Sequence, residues 1–283
     1  MTRYLLILPA AVLLLAGCRK DTPLPQAQRP RIVSFSPALT QIVFDMGLGG
    51  HVVGVTRYCR PPAGESRPVV GDAFNVSGEA ILALRPEVIL IQQDPKTFEG
   101  LRRRDPSIRI EHFDIETLAD IASAMERIGR IAGRAELGSD RKSQFLAELE
   151  SVRARAPAGR RVRVLFTDGH EPPLVAGKGT FIHQMIELAG GVNAAADYKG
   201  WVNLNKEAIQ AAAPDVLICR TEAGREEAVK ARWMGLPNLP AARTGRVYMV
   251  TDRDWTIPSA RMAKLARRLS EMMHPPAETR AAR

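Results

Sequence analysis

Cysteine is nearly missing from this chain of 283 residues: there are three, Cys18, Cys59 and Cys219. No two are closely spaced and no His-Glu-x-x-His pattern occurs, so neither a disulfide framework nor a familiar zinc spacing is on offer. Cys59 and Cys219 fall in different halves of the chain, where a bridge between lobes is not expected, and Cys219 reads as a buried strand residue. The apolar segment from Tyr4 to Leu15 is too short to cross a bilayer as a mature helix. Acidic residues are outnumbered, with 31 Asp and Glu against 40 Lys and Arg and a formal net charge of +9. Such a balance can serve nucleic acid, but the beginning of the chain points out of the cytoplasm, which leaves solubility, anionic headgroups or an acidic ligand as its uses.

That beginning reads as an export signal. Arg3 precedes the apolar segment, and the small residues Ala16 and Gly17 close it ahead of Cys18. The ending Leu15-Ala16-Gly17-Cys18 resembles a bacterial lipobox, in which the cysteine is lipidated and becomes the first mature residue. Residues 1–18 are therefore expected to be a lipoprotein signal and residues 19–30, rich in proline and glutamine, a flexible tether. The expected location is the periplasm or cell surface, with the protein held to the membrane by its lipid.

What the chain does possess is a stretch written twice. Asn75 to Ile91 and Asn203 to Cys219 align without a gap: Asn, Glu, Ala, Ile, Ala, Pro and Val coincide, and Glu87 matches Asp215. In each copy a polar cap, Ser77 or Asn205, precedes a short helix with a glutamate in its first turn, Glu79 or Glu207. The helix must end before Pro86 or Pro214, because the proline ring disfavours helical geometry in the residue ahead of it. The runs Val88 to Ile91 and Val216 to Cys219 then read as parallel strands buried on both faces. A unit repeated on this scale predicts two similar lobes with a ligand between them.

The rest of the chain supports that plan. Residues 31–134 are read as an N-terminal α/β lobe opening on the strand Arg31 to Phe35, and residues 158–275 as a C-terminal α/β lobe opening on the strand Val162 to Thr167. Between them, residues 135–157 form one linking helix, with Phe145, Leu146, Leu149 and Val152 on its apolar face. Loops are expected over Asp168 to Lys178 and Tyr198 to Val202, and residues 276–283 as a disordered tail. The fold class is α/β: two similar lobes joined by a single long helix, with a cleft between them.

Several motifs sharpen this. Arg31-Ile-Val-Ser-Phe-Ser-Pro37, Gly54-Val-Thr-Arg-Tyr-Cys59, Glu79-Ala-Ile-Leu-Ala-Leu-Arg-Pro86, Gly177-Lys-Gly-Thr-Phe-Ile182, Glu187-Leu-Ala-Gly-Gly191 and Gly245-Arg-Val-Tyr248 occur in this order. Together they resemble the substrate-binding lipoproteins of ABC importers for vitamin B12, haem and iron siderophores. The resemblance covers nearly all of the chain after residue 30. It implies a monomer that is not an enzyme, with little hinge motion, an ABC permease and its ATPase subunits as partners, and no nucleic acid. It also implies that Glu79 and Glu207 dock onto arginines of the permease.

Open α/β sheets place ligands at the carboxyl ends of their strands. The candidates there are Tyr58, Phe74, Gln92 and Gln93 from the first lobe, and His170, Trp201 and Trp255 from the second. Flat aromatic rings suit a large macrocycle. Within the family Tyr58 and Trp201 match aromatics of the B12-binding members, whereas Gln92 and Ile257 depart from their pattern. A corrinoid is thus the expected ligand, with haem or a ferric siderophore as alternatives and no other cofactor. His170 is a candidate axial ligand to a chelated metal. A zinc hydrolase using Asp168, His170 and His183 is the remoter enzymatic reading, and a purely structural lipoprotein would have no cleft ligand.

Overall fold

A computed structural model describes residues 29–72, 74–159 and 161–275. The signal with Cys18, the tether up to residue 28 and the tail 276–283 lie outside the described residues.

In the first half, β1 (Ile32–Ser34), β2 (Val52–Val55), β3 (Val88–Ile91) and β4 (Arg109–His112) form a parallel sheet in the order β2-β1-β3-β4. Parallel neighbours need crossovers, and these carry α1 (Pro37–Asp45), α2 (Gly78–Ala83) and α3 (Glu99–Arg104). Helix α1 begins where the sequence places it: the Ser36 hydroxyl accepts from Leu39 N and Pro37 occupies the first turn. Strand β3 is buried on both faces, with Val88 and Leu90 on one side and Ile89 and Ile91 on the other.

Helix α4 (Leu118–Ile131) starts with a reciprocal cap between Thr117 and Asp120. It turns back into α5 (Ala135–Ala154), which leads to the second half. The two backbones nearly touch where Gly129 meets Gly138: a Cβ built on Gly129 would lie 2.6 Å from the Gly138 Cα. Phe145, Leu149 and Val152 of α5 are buried as their spacing predicts, whereas Leu146, one position round the helix, is exposed.

The second half contains β5 (Val162–Asp168), β6 (Leu174–Ala176), α6 (Phe181–Leu188), β7 (Gly191–Asn193) and β8 (Trp201–Asn203). They are followed by α7 (Lys206–Ala211), β9 (Val216–Arg220), α8 (Glu226–Met234), α9 (Pro240–Arg243), β10 (Val247–Val250) and α10 (Met262–Met273). Its sheet runs β10-β9-β5-β6-β8, with β7 beside the start of β5. The expected loops over 168–178 and 198–202 are corrected here, because β6 and β8 pair antiparallel within them, Val175 opposite Val202. Strands of three residues between glycines carry no period that local sequence can display; their partners lie far along the chain.

The repeat is deeper in three dimensions than in sequence. Ser77 and Asn205 cap α2 and α7 by accepting from Ala80 N and Ala208 N. Past each helix a non-glycine residue takes the left-handed region, Arg85 at φ 44° and Ala213 at φ 46°, and this sharp turn delivers the chain to the proline. The Glu87 carboxylate accepts from Arg31 N and that of Asp215 from Arg163 N, which ties each copy to the head of its lobe's opening strand. The guanidinium of Arg31 donates to Leu84 O and Arg85 O, and that of Arg163 to Ala212 O, satisfying carbonyls at the helix end.

One apolar cluster runs through both halves, joining Ile32 and Leu90 to Phe145 and Leu149 of α5 and to Phe166 and Ile218. Polar contacts cross the same junction: Leu118 N donates to Gln184 Oε1 at 2.7 Å, and Arg261 bridges Asp45 at 3.2 Å and Asp254 at 2.7 Å. Cys59 and Cys219 are free and buried, and burial pushes the Cys219 thiol up to about 11. Gly129→Ala should force α4 and α5 apart and cost about 1–3 kcal/mol, read as a lowered urea midpoint with an unchanged slope.

Candidate functional site

Each parallel strand delivers its last residues to the carboxyl edge of its sheet. In the first lobe that edge carries Ser36 after β1, Arg57 and Tyr58 after β2, and Gln92 and Gln93 after β3. Tyr58 is 45% exposed, with the Arg57 guanidinium 5.8 Å from its ring centre. Phe74 is 86% exposed, although a ring of that size is normally buried. Its turn is stapled from below by buried Asp72: Oδ1 accepts from Phe74 N and Asn75 N, each at 2.8 Å, while Oδ2 pairs with Arg57. The ring thus stands in solvent on a turn whose amides are hydrogen-bonded. Asp72 and Arg57 were missed in the sequence, though an aspartate two residues ahead of an exposed residue is itself a turn signal.

The two glutamines have structural partners. Gln92 Oε1 accepts from the Ser36 hydroxyl, and Gln93 Nε2 donates to Phe35 O at 2.9 Å while its Oε1 accepts from Gln92 N. Both remain partly exposed, so they brace the edge and also form part of its surface.

In the second lobe, Asp168 ends β5 and is buried, with its carboxylate fully used. Oδ1 accepts from His170 N and Leu174 N at 3.1 Å, and Oδ2 lies 2.5 Å from His170 Nδ1. This bond orients the imidazole, whose side chain is 73% exposed. Trp201 lies on edge strand β8, partly buried, with its ring 6.3 Å from Phe166 and 6.0 Å from Phe181. Trp255 departs from expectation. It is 0% exposed, stacked on Phe166 at 5.9 Å with Arg268 over its ring, so it belongs to the core beneath the edge instead of the surface. A tryptophan directly after Asp252-Arg253-Asp254 looks like a loop aromatic in one dimension; the short helical turn that follows β10 folds it inward.

The Asp168–His170 pair does not extend to His183. That side chain sits in the first turn of α6, its ring nitrogens near Asn193 and Glu187. Among the described residues no group of three or more His, Cys, Asp or Glu is arranged to hold a metal ion.

Glu79 and Glu207 are exposed in the first turns of α2 and α7 and make no ion pair among the described residues. Because Arg31 and Arg163 hold the far ends of these helices at the amino edges of the sheets, both glutamates stand at the carboxyl edges. They share that side with Phe74 and His170. Lys206, beside Glu207, pairs with Glu171 at 3.4 Å, as does Arg232 at 2.7 Å.

Comparison with known proteins adds to this geometry. The pattern of the periplasmic binding protein family matches residues 32–253. An uncharacterized ABC transporter substrate-binding lipoprotein of Bacillus subtilis, YvrC, is 28% identical over 255 residues, covering 87% of this chain and 80% of the relative. The vitamin B12-binding protein of Salmonella typhimurium is 25% identical over 214 residues, covering 75% and 80%. The apo structure of the periplasmic haem-binding protein RhuT from Roseiflexus superposes with a TM-score of 0.73 at 28% identity, covering 87% of this chain and 98% of that one.

The two aromatics Trp255 and Phe74 should separate on substitution. Trp255→Ala is expected to cost about 3–5 kcal/mol in chemical denaturation, whereas Phe74→Ala should change stability by less than about 0.5 kcal/mol.

Proposed function

Because the chain belongs to the periplasmic binding protein family, we propose that it is the extracytoplasmic substrate-binding component of an ABC importer and that its ligand is a corrinoid. In this reading the protein acts as a monomer, is anchored by a lipid on Cys18, and hands its ligand to a permease driven by ATPase subunits. No helix among the described residues is long and apolar enough to cross a membrane, and the membrane association proposed here comes from the lipid. The chemistry is capture and release.

The observation that carries the ligand reading is Phe74. A large apolar ring set in water on a hydrogen-bonded turn has little use to the folded protein itself, and it suits stacking on a broad, flat face. Tyr58 on the same lobe and Trp201 on the other extend this aromatic surface, Gln92 offers amide hydrogen bonds beside it, and relatives named as B12-binding proteins favour a corrinoid. Haem is the second reading, favoured by the Asp168–His170 hydrogen bond. A carboxylate on Nδ1 leaves Nε2 as the free ligating nitrogen, the arrangement typical of metal-binding imidazoles.

Glu79 and Glu207 are proposed to meet guanidinium groups of the permease. Two exposed carboxylates on separate lobes would fix orientation as well as affinity, through charge-assisted and bidentate contacts. Their place on the cleft side means that docking would present the cleft to the permease.

Calorimetric titration of the purified protein with cyanocobalamin, haem and a ferric siderophore is expected to give saturable one-to-one binding of cobalamin, weakened by Phe74→Ala; tight haem binding without cobalamin binding would replace the corrinoid with haem. Charge reversal of both docking residues, Glu79→Arg with Glu207→Arg, should abolish complex formation with the permease at unchanged ligand affinity. Undiminished transport by that variant would remove their assigned role.

A further inference from the structure

We propose that Arg220 is the ligand's anion anchor, a guanidinium at the floor of the cleft that receives an oxyanion at the rim of the bound chelate. The inference rests on the ligand reading above and adds to it a residue and a chemical requirement.

Strand β9 lies between β5 and β10, in the interior of the second sheet. Its side chains alternate, with Leu217 and Cys219 packed beside Trp233 and Val216 and Ile218 packed in the cluster that holds Phe166 and Trp255. Arg220 continues the second series, so it leaves the carboxyl end of the strand on the Phe166 and Trp255 side. Its register partner on β5 is Asp168, the residue that orients His170.

An arginine beside an aspartate normally forms an ion pair, and here the partly buried Arg220 forms none among the described residues. Both carboxylate oxygens of Asp168 are engaged by Leu174 N and by the backbone and ring of His170. None of the ion pairs among the described residues uses Arg220, and its Nε is buried without a hydrogen-bond partner. Trp255 Nε1, on the same side of the sheet, is a second buried donor without a partner. Donors removed from water and left unmatched carry a large free-energy penalty, larger for a cation, and are rare unless something else satisfies them. The guanidinium fork is suited to a carboxylate or phosphodiester arriving from the cleft, where it would form parallel N–H to oxygen bonds. A corrinoid brings such a group in the phosphodiester of its nucleotide loop, and haem in its propionates.

Matched ligand pairs test the proposal. Wild type, Arg220→Ala, Arg220→Gln and Arg220→Lys are titrated with cyanocobalamin and with dicyanocobinamide, which lacks the phosphodiester, and with haem and its dimethyl ester, which lacks free carboxylates. Within the pair that wild type binds, Arg220→Ala and Arg220→Gln are expected to weaken the acidic member about tenfold, or about 1.4 kcal/mol, and to leave the neutral member within about twofold; Arg220→Lys should recover part of the loss. The pair that responds identifies the source of the oxyanion. An equal loss for both members, or no loss in a folded variant, overturns the anchor and leaves the ligand reading standing. Failure of wild type to bind either pair overturns both.

Discussion

Two glycines in contact set the geometry on which the rest of this molecule depends. Where Gly129 of α4 meets Gly138 of α5, no side chain stands between the backbones, and a Cβ on either glycine would collide with the other helix. Helix α5 then carries Phe145, Leu149 and Val152 into an apolar cluster shared by both sheets. That core is common property of the two lobes, and Arg261 reinforces the arrangement by reaching Asp45 on one side and Asp254 on the other. A partly exposed bridge of this kind contributes little stability alone; its value is directional, because it fixes which surfaces face each other.

The carboxyl edges of the two sheets inherit that fixed relation. On the first edge, a buried aspartate and its arginine hold Phe74 in water; on the second, Asp168 holds His170. The same device thus appears twice, a buried carboxylate that spends its oxygens on the backbone of the following turn and so presents the next ring. Hydrogen bonds of this sort order the turns that carry the proposed ligand-binding rings, which lowers the entropy such binding would cost. It also explains why Arg220 is left without a carboxylate partner. Asp168 is committed to the turn, and the Nε of the arginine beside it has no hydrogen-bond partner among the described residues.

Much of this was legible in one dimension. Asn75 to Ile91 and Asn203 to Cys219 announced two lobes because each signal they carry is local: a cap, a first-turn glutamate, a proline stop and a β-branched run. The spacing of Phe145, Leu149 and Val152 announced the long helix in the same way. The exposed positions of Glu79, Glu207 and Phe74 were legible too, since they follow from place in a helix turn or loop. What escaped was long-range. Strands β6 and β8 exist through pairing with each other and with β5, and the inward turn of Trp255 onto Phe166 depends on a neighbour far earlier in the chain.

The division between the two kinds of information is physical. Backbone hydrogen bonding within a turn, the steric rule before proline and the alternation of a buried strand act over a few residues, so composition and order settled the α/β class, the duplicated unit and the placing of Glu79 and Glu207. Burial and hydrogen-bond satisfaction are sums over partners brought together from separate segments. Whether Trp255 meets ligand or core, whether Gln93 faces solvent or holds Phe35, and whether Arg220 has a counter-ion were therefore decided by packing, where each side chain's options depend on what its neighbours have already taken.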